Sequence, residues 1–169
     1  GANLWIGSQQ PGIYHYNFDT RSAEYYPFPN VPQDKKRYNK NLYKDNSGNL
    51  WIGTEGGGLY VFDPSEGKYE AFYGSTGSNA LSNDIVKDVM QVKSNIFWIA
   101  TDGEGINVLN RETGKMRYIR YNVGDSESLN SEAIYSLYKD NHGIYWIGTF
   151  DGGINIYNTN AKDFHTYTS

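Results

Sequence analysis

The chain repeats the tripeptide Trp-Ile-Gly, or its near copy Trp-Ile-Ala, four times at nearly constant spacing. Successive copies are 46, 47 and 48 residues apart, which places all four tryptophans of the chain at Trp5, Trp51, Trp98 and Trp146. A fixed period of this length marks a repeat architecture. Because a bulky residue that recurs at one strand position in every repeat usually packs inside, we predict a structural core role for the four tryptophans.

Each repeat carries the same succession of strand and turn signals. In the second copy, β-branched and aromatic residues cluster around Leu42, Trp51, Leu59–Phe62 and Phe72, a composition typical of strands. Gly, Asn and Asp dominate the segments between them, and these residues favour tight turns. No long window has the period of a helix, so the pattern predicts four short strands in each repeat.

Repeated four-stranded antiparallel units are the blades of a β-propeller. Because a blade stacks on two neighbours, both of its faces are apolar, and the alternation places Leu59 and Val61 on one face. Tyr60 and Phe62 are predicted on the other face. The sequence therefore predicts an all-β fold: a β-propeller fragment of about four blades of four-stranded antiparallel sheet. The single domain covers residues 1–169, with blades at approximately residues 1–37, 38–82, 83–131 and 132–169.

The first blade is expected to be incomplete, because Gly1 aligns with Gly48 and Gly143 at the end of the first turn. This phase leaves fewer strands than a closed propeller of such blades normally contains. An open arc of blades would expose two large apolar faces. We therefore expect self-association of the open blade faces, or their coverage by the rest of a larger ring.

The composition restricts the partners of the chain. Its formal net charge of −4 does not favour a nucleic-acid partner. The chain has no cysteine, which excludes disulfides and thiolate metal sites. No apolar run approaches the ~20 residues of a membrane span, so we expect no direct membrane insertion. One basic run is interpreted as a solvated loop and outer strand; it contains Lys35, Lys36, Arg37, Lys40 and Lys44.

The two most regular copies share one long pattern, at residues 45–63 and 140–158. It reads Asp-Asn-x-Gly-x-x-Trp-Ile-Gly-Thr-x-x-Gly-Gly-(Leu/Ile)-x-x-(Phe/Tyr)-(Asp/Asn). This pattern resembles the two-component regulator propeller repeat, and the resemblance covers essentially the whole chain. The first copy has Gln10-Pro11-Gly12 in place of the paired glycines, and the third copy departs at Val92, Asn95, Ala100 and Glu104.

The resemblance implies a sensor. Propellers of this family form the periplasmic ectodomain of hybrid two-component sensor histidine kinase/response regulators, which are inner-membrane proteins that control transcription. Their ligands are mostly oligosaccharides released from glycans, so an oligosaccharide ligand is expected for the intact ectodomain. The histidine kinase would lie outside these residues, and we expect no catalytic residue, no cofactor and no metal in this chain.

The turns between the second and third strands are expected to share one rim of the propeller with the long connections between blades. These turns vary within an otherwise repetitive motif. They combine carboxylates and amides with an aromatic ring, which are the groups that sugar recognition needs. The sequence thus predicts a ligand-binding rim formed by Gln9, Gln10, Glu55, Asp102, Glu104, Phe150 and Asp151.

The carboxylate pair Asp102 and Glu104 would also suit a glycosidase, or a Ca²⁺ site completed by neighbouring turns. No acid–base partners accompany this pair, and His15, His142 and His165 lack metal-ligand spacing. Three functions are therefore compatible with the sequence. They are a ligand sensor, a propeller scaffold for protein–protein association and, with the least support, a glycan-active enzyme.

Overall fold

The computed structural model describes residues 2–29, 38–74, 80–125, 127–158 and 163–167. Within these ranges the chain forms fifteen strands and no helix. The strands are β1 (Asn3–Gly7), β2 (Gly12–Asn17), β3 (Ser22–Pro27), β4 (Asn39–Lys44), β5 (Leu50–Thr54), β6 (Leu59–Asp63), β7 (Lys68–Phe72), β8 (Val86–Lys93), β9 (Ile96–Thr101), β10 (Ile106–Asn110), β11 (Lys115–Ile119), β12 (Ile134–Lys139), β13 (Ile144–Thr149), β14 (Ile154–Asn158) and β15 (Asp163–Tyr167).

The strands form four antiparallel sheets, in which every strand pairs with its neighbours in the sequence. Strands β1–β3 form blade 1, β4–β7 form blade 2, β8–β11 form blade 3 and β12–β15 form blade 4. The predicted all-β propeller fragment is confirmed, and blade 1 has three described strands where the other blades have four. Each sheet lies inside one of the four predicted segments. Among the described residues, no helix is long and apolar enough to cross a membrane.

A hydrogen-bonded turn sets the start of the Trp-Ile-Gly strand in blades 2 and 4. Asp45 Oδ1 accepts from the backbone N–H groups of Ser47 and Asn49, both at 2.9 Å. The second oxygen of Asp45 accepts from the Trp51 indole N–H at 2.9 Å. In blade 4 the Trp146 indole makes the equivalent bond to Asp140 at 3.0 Å, and this bond lowers the pKa of that carboxyl group. The recurring turn therefore acts structurally, because its aspartate ties the turn to the indole.

Three apolar clusters hold consecutive blades together. Leu59 and Val61 pack towards blade 3, whereas Tyr60 and Phe62 pack towards blade 1, so the predicted division of this strand between two faces is confirmed. Between blades 2 and 3 the Trp51 ring stacks on Phe97 with a centroid distance of 3.9 Å. Burial of these large side chains on both faces is the main force that stacks one blade on the next.

The first strands of blades 2, 3 and 4 lie side by side, and one carboxylate links all three. Asp88 on β8 accepts a hydrogen bond from the Asn41 side-chain amide on β4 at 2.7 Å. Its other oxygen accepts from the Leu137 backbone N–H on β12, also at 2.7 Å. Burial raises the pKa of Asp88 above its usual range, although its backbone hydrogen bonds act in the opposite direction.

The outward faces of blades 1 and 4 expose apolar side chains, as the open arc predicts. Leu4 and Ile6 are exposed on blade 1, and Tyr138 and Ile154 are exposed on blade 4.

The four tryptophans consequently differ in burial. Trp51 and Trp98 are buried and Trp5 is half-buried. Trp146, predicted as a core residue from its repeat position, is 36% exposed. No further blade packs against its face within the described part of the chain, so the repeat position alone does not bury this side chain.

Candidate functional site

The turns between second and third strands meet the connections between blades at one rim. In the turn of blade 3, the Asp102 N–H donates to the Ile85 carbonyl at 3.0 Å. In blade 4, the Phe150 N–H donates to the Ala133 carbonyl at 3.0 Å, and the turn of blade 2 makes the equivalent bond. These bonds join each turn to the segment that enters the first strand of its own blade. The expectation that turns and connections share one rim is confirmed.

A row of alternating charges crosses this rim from blade 2 to blade 3. The Lys40 ammonium lies 3.0 Å from Glu55, and the Lys87 ammonium lies 3.0 Å from Asp102. Lys87 also lies 4.0 Å from Glu55 and thus connects the carboxylates of two blades. Burial alone would lower the pKa of Lys87, but the hydrogen bond and charge of Asp102, with the charge of Glu55, raise it.

Two exposed aromatic rings of blade 4 lie next to the charged residues of blades 2 and 3. Tyr135 and Phe150 stack with their centroids 5.4 Å apart and their planes at 25°. The Lys87 ammonium lies 4.7 Å from the centroid of the Tyr135 ring. Phe150 is 70% exposed and Tyr135 is 41% exposed. We call the whole row the rim cluster; it consists of Lys40, Glu55, Lys87, Asp102, Tyr135 and Phe150.

β-Bulges place half of this cluster. Lys40, Lys87 and Tyr135 are each the second residue of the first strand of a blade. Each falls where the register of that strand shifts against the next. A bulge leaves one residue outside the ladder and redirects its side chain. The same local irregularity in three blades therefore presents two lysines and one tyrosine to the rim.

The rim cluster contains three of the seven predicted site residues, namely Glu55, Asp102 and Phe150. The other four lie in the equivalent turns of blades 1, 3 and 4, outside the cluster. Gln10 accepts a hydrogen bond from Tyr14 at 2.6 Å, and its neighbour Gln9 is exposed. Further contacts involve Glu104, which pairs with Arg120 at 3.2 Å, and Asp151, which accepts from Ser131 at 2.7 Å.

The carboxylates of Asp102 and Glu104 do not act as one pair. Asp102 is held by Lys87, whereas Glu104 is held by Arg120. The two carboxylates thus pair with different cations, and this arrangement gives no support to a shared acid–base role across a glycosidic bond. Across the ranges that the structure describes, no group of three or more His, Asp or Glu side chains could hold a metal ion.

Sequence reasoning missed Lys87 and Tyr135, and it assigned Lys40 only to a solvated basic run. A usable signal was present, because these three residues share one repeat position, which holds lysine in blades 2 and 3 and tyrosine in blade 4. Variation inside a regular motif is also the signal from which the turn residues are predicted. What the sequence lacked was the bulge that turns this position towards the rim.

A comparison with known families gives matches in two segments. Residues 34–56 and 128–151 match the model of the two component regulator propeller. These segments include the first two strands of blades 2 and 4, the blades with the most regular copies of the pattern. The resemblance inferred from the sequence is confirmed there. No curated protein sequence matches the chain significantly.

Solved structures share the fold at low sequence identity. The extracellular domain assigned to the hybrid two component system BT3049 of B. thetaiotaomicron superposes with a TM-score of 0.76 at 22% identity, over 98% of this chain and 22% of that one. The corresponding domain of BT4673 gives 0.74 at 18% identity, over 97% of this chain and 23% of that one. PorZ, a surface component of the type-IX secretion system of Porphyromonas gingivalis, gives 0.65 at 18% identity, over 94% and 23%. The chain thus spans less than a quarter of the length of each.

Proposed function

We propose that this chain, which carries two-component regulator propeller repeats, is part of the extracytoplasmic ligand-sensing domain of a hybrid two-component system. The family match in blades 2 and 4 supports this role. The likeness of fold to extracellular domains of two such systems supports it further. In this proposal the domain is periplasmic, and the histidine kinase that controls transcription belongs to another part of the same protein.

We further propose that the rim cluster binds a neutral oligosaccharide derived from a glycan. The observation that carries this proposal is the stacked, exposed ring pair of Tyr135 and Phe150 beside the ion pair of Lys87 and Asp102. Exposed rings can pack against the apolar CH face of a pyranose. The cluster holds two cations and two carboxylates, so it offers donors and acceptors for hydroxyl groups without a net charge.

Signalling would follow from a shift in population. A ligand changes the balance between two arrangements of a protein only by its difference in affinity for them. Because the rim cluster draws on blades 2, 3 and 4, a sugar bound there contacts three blades at once. Such a ligand would favour one relative placement of these blades, and the rest of the ectodomain would transmit this preference to the membrane.

Replacing Phe150 with alanine tests the sugar site. We expect affinity for the preferred sugar to fall about tenfold, because a stacking ring is lost from the binding surface. Stability should change little, since the side chain is 70% exposed. Isothermal titration of the 169-residue protein with a panel of neutral gluco-, xylo- and manno-oligosaccharides provides the measurement.

The matched control is Phe18→Ala, which removes a 50% exposed phenylalanine from blade 1, outside the rim cluster. This control should keep the parent affinity. Equal losses in the two variants, or no binding of any oligosaccharide to the parent protein, would contradict the proposed sugar site.

A second function, association through blade faces, is favoured by the exposed apolar side chains of blades 1 and 4. The two faces occupy the positions through which internal blades pack, so blade 4 of each of two copies could stack on blade 1 of the other and close a ring. Light scattering over a concentration series should then give about twice the 19.2 kDa chain mass. Ile154→Asp on the blade 4 face should restore the monomer, whereas Val123→Asp should not, because Val123 is an exposed residue of the connection between blades 3 and 4. A parent protein that stays monomeric would exclude this association.

A further inference from the structure

We call the space between the outer strands of two neighbouring blades a wedge. The strand register shows which residues occupy equivalent positions in successive wedges. Val61 pairs with Glu70 in blade 2, and Val108 pairs with Arg117 in blade 3. Glu70 and Arg117 therefore occupy the same place, one in the wedge between blades 2 and 3 and the other in the wedge between blades 3 and 4. This position changes from an acid to a base between the two wedges.

The wedge between blades 2 and 3 is closed by the protein itself. Arg111 reaches in from blade 3, and its guanidinium lies 5.4 Å from the centroid of the Trp51 ring. The same guanidinium forms an ion pair with Glu70 of blade 2. A cation thus covers the aromatic floor of this wedge, and an acid on the opposite wall neutralises the cation.

Among the described residues, the wedge between blades 3 and 4 has no ion pair equivalent to that of Glu70 and Arg111, although the Lys139 ammonium lies 5.2 Å from the centroid of the Tyr145 ring. Arg117 stands at the position of Glu70. A cavity of about 580 Å³ lies here, with Trp98, Tyr145 and Tyr157 in its lining. The rings of Trp98 and Tyr145 approach to 5.0 Å between centroids.

Cations border this cavity. Lys93 and Arg117 belong to its lining, and Lys115 lines an adjoining cavity of about 570 Å³ that shares Arg117. No described residue lining either cavity carries a carboxylate. In the part of the chain that the structure describes, the three cations also form no ion pair with a carboxylate. The wedge is therefore a positively charged pocket in a chain with a formal net charge of −4.

We propose that the wedge between blades 3 and 4 binds a small organic anion that carries a ring. The anionic group would pair with Arg117 and Lys93, as Glu70 pairs with Arg111 in the preceding wedge. The ring would pack on the apolar lining of the cavity beside Tyr157 and Ile119, which are only partly buried. Cavities of this size accept ligands of one or two rings, and a guanidinium matches the geometry of a carboxylate. This site is separate from the rim cluster and differs from it in the charge of its ligand.

A pair of glycosides that differ in one carboxylate tests the proposal. The probes are 4-nitrophenyl β-D-glucuronide, which is an anion, and 4-nitrophenyl β-D-glucoside, which is neutral. Isothermal titration of the 169-residue protein should give about tenfold tighter binding of the glucuronide, because only this probe can form the charge-assisted bonds. Equal affinities, or no binding of either probe, would overturn the proposal.

Variants locate the binding. Arg117→Gln should remove the preference for the glucuronide. The control Lys68→Gln removes a cation from the preceding wedge, at the position that Lys115 occupies in this one. This control should keep the preference, because Lys68 lies outside the proposed pocket. Thermal unfolding of both variants should match the parent, since both side chains are exposed. Unchanged glucuronide binding in Arg117→Gln would refute the site. A loss caused by Phe150→Ala would assign the binding to the rim cluster and refute it equally.

Discussion

Replacing Trp51 with alanine is expected to lower the free energy of unfolding by about 3–5 kcal/mol. The Trp51 side chain is completely buried. It stacks on Phe97 of the next blade at 3.9 Å and donates its indole N–H to Asp45 at 2.9 Å. The substitution would open a cavity between blades 2 and 3 and would leave a buried carboxylate without one of its donors. Urea unfolding followed by far-UV circular dichroism measures the loss.

The repeat supplies a matched control in Trp146→Ala. Trp146 has the same place in its blade and the same indole bond to an aspartate, at 3.0 Å. Its side chain is 36% exposed, so its removal opens no closed cavity, and we expect a loss of only about 1 kcal/mol. The difference between the two variants measures what blade stacking contributes. Similar losses would mean that the indole bond, and not the stacking, determines the effect.

Replacing Gly58 with alanine is expected to destabilise the protein by about 3 kcal/mol or more. Gly58 has a φ of 75°, and a Cβ atom there would lie 2.2 Å from the Phe72 carbonyl oxygen. The obstacle is backbone, which cannot rotate away as a side chain can. The Gly58 N–H also donates to the Asp84 carbonyl at 2.8 Å, so any shift of this turn would disturb the link to the connection before blade 3.

Gly67→Ala separates the two sources of this cost. Gly67 has a similar φ of 66°, but nothing lies within 4 Å of the position that its Cβ would take. Its substitution should cost only the strain of a left-handed backbone, about 1–2 kcal/mol. Denaturant unfolding of both variants under the same conditions provides the comparison. If Gly67→Ala were as destabilising as Gly58→Ala, backbone strain alone would explain both, and the close carbonyl would be irrelevant.

The local features of the fold could be predicted from the sequence. The period of the tryptophans, the alternation of Leu59 to Phe62 and the turn chemistry around Asp45 identified the blades, their strands and the two apolar faces. These signals depend on residues close together in the chain, because side-chain alternation and turn geometry are properties of short segments. They recur in each repeat, which makes one interpretation consistent over the whole chain.

The candidate sites depended on the stacking of blades. Lys87 lies between Glu55 and Asp102, which belong to two different blades, and no local pattern states which carboxylate it meets. Residue propensities also do not predict the β-bulge that directs Lys87 to the rim.

Burial was decided in the same way. One repeat position is covered at Trp51 and exposed at Trp146 because, among the described residues, a neighbouring blade packs on only one of them. Sequence alone therefore determined what each blade is. Only the tertiary structure decided which side chains of neighbouring blades contact each other, since these side chains are far apart in the chain.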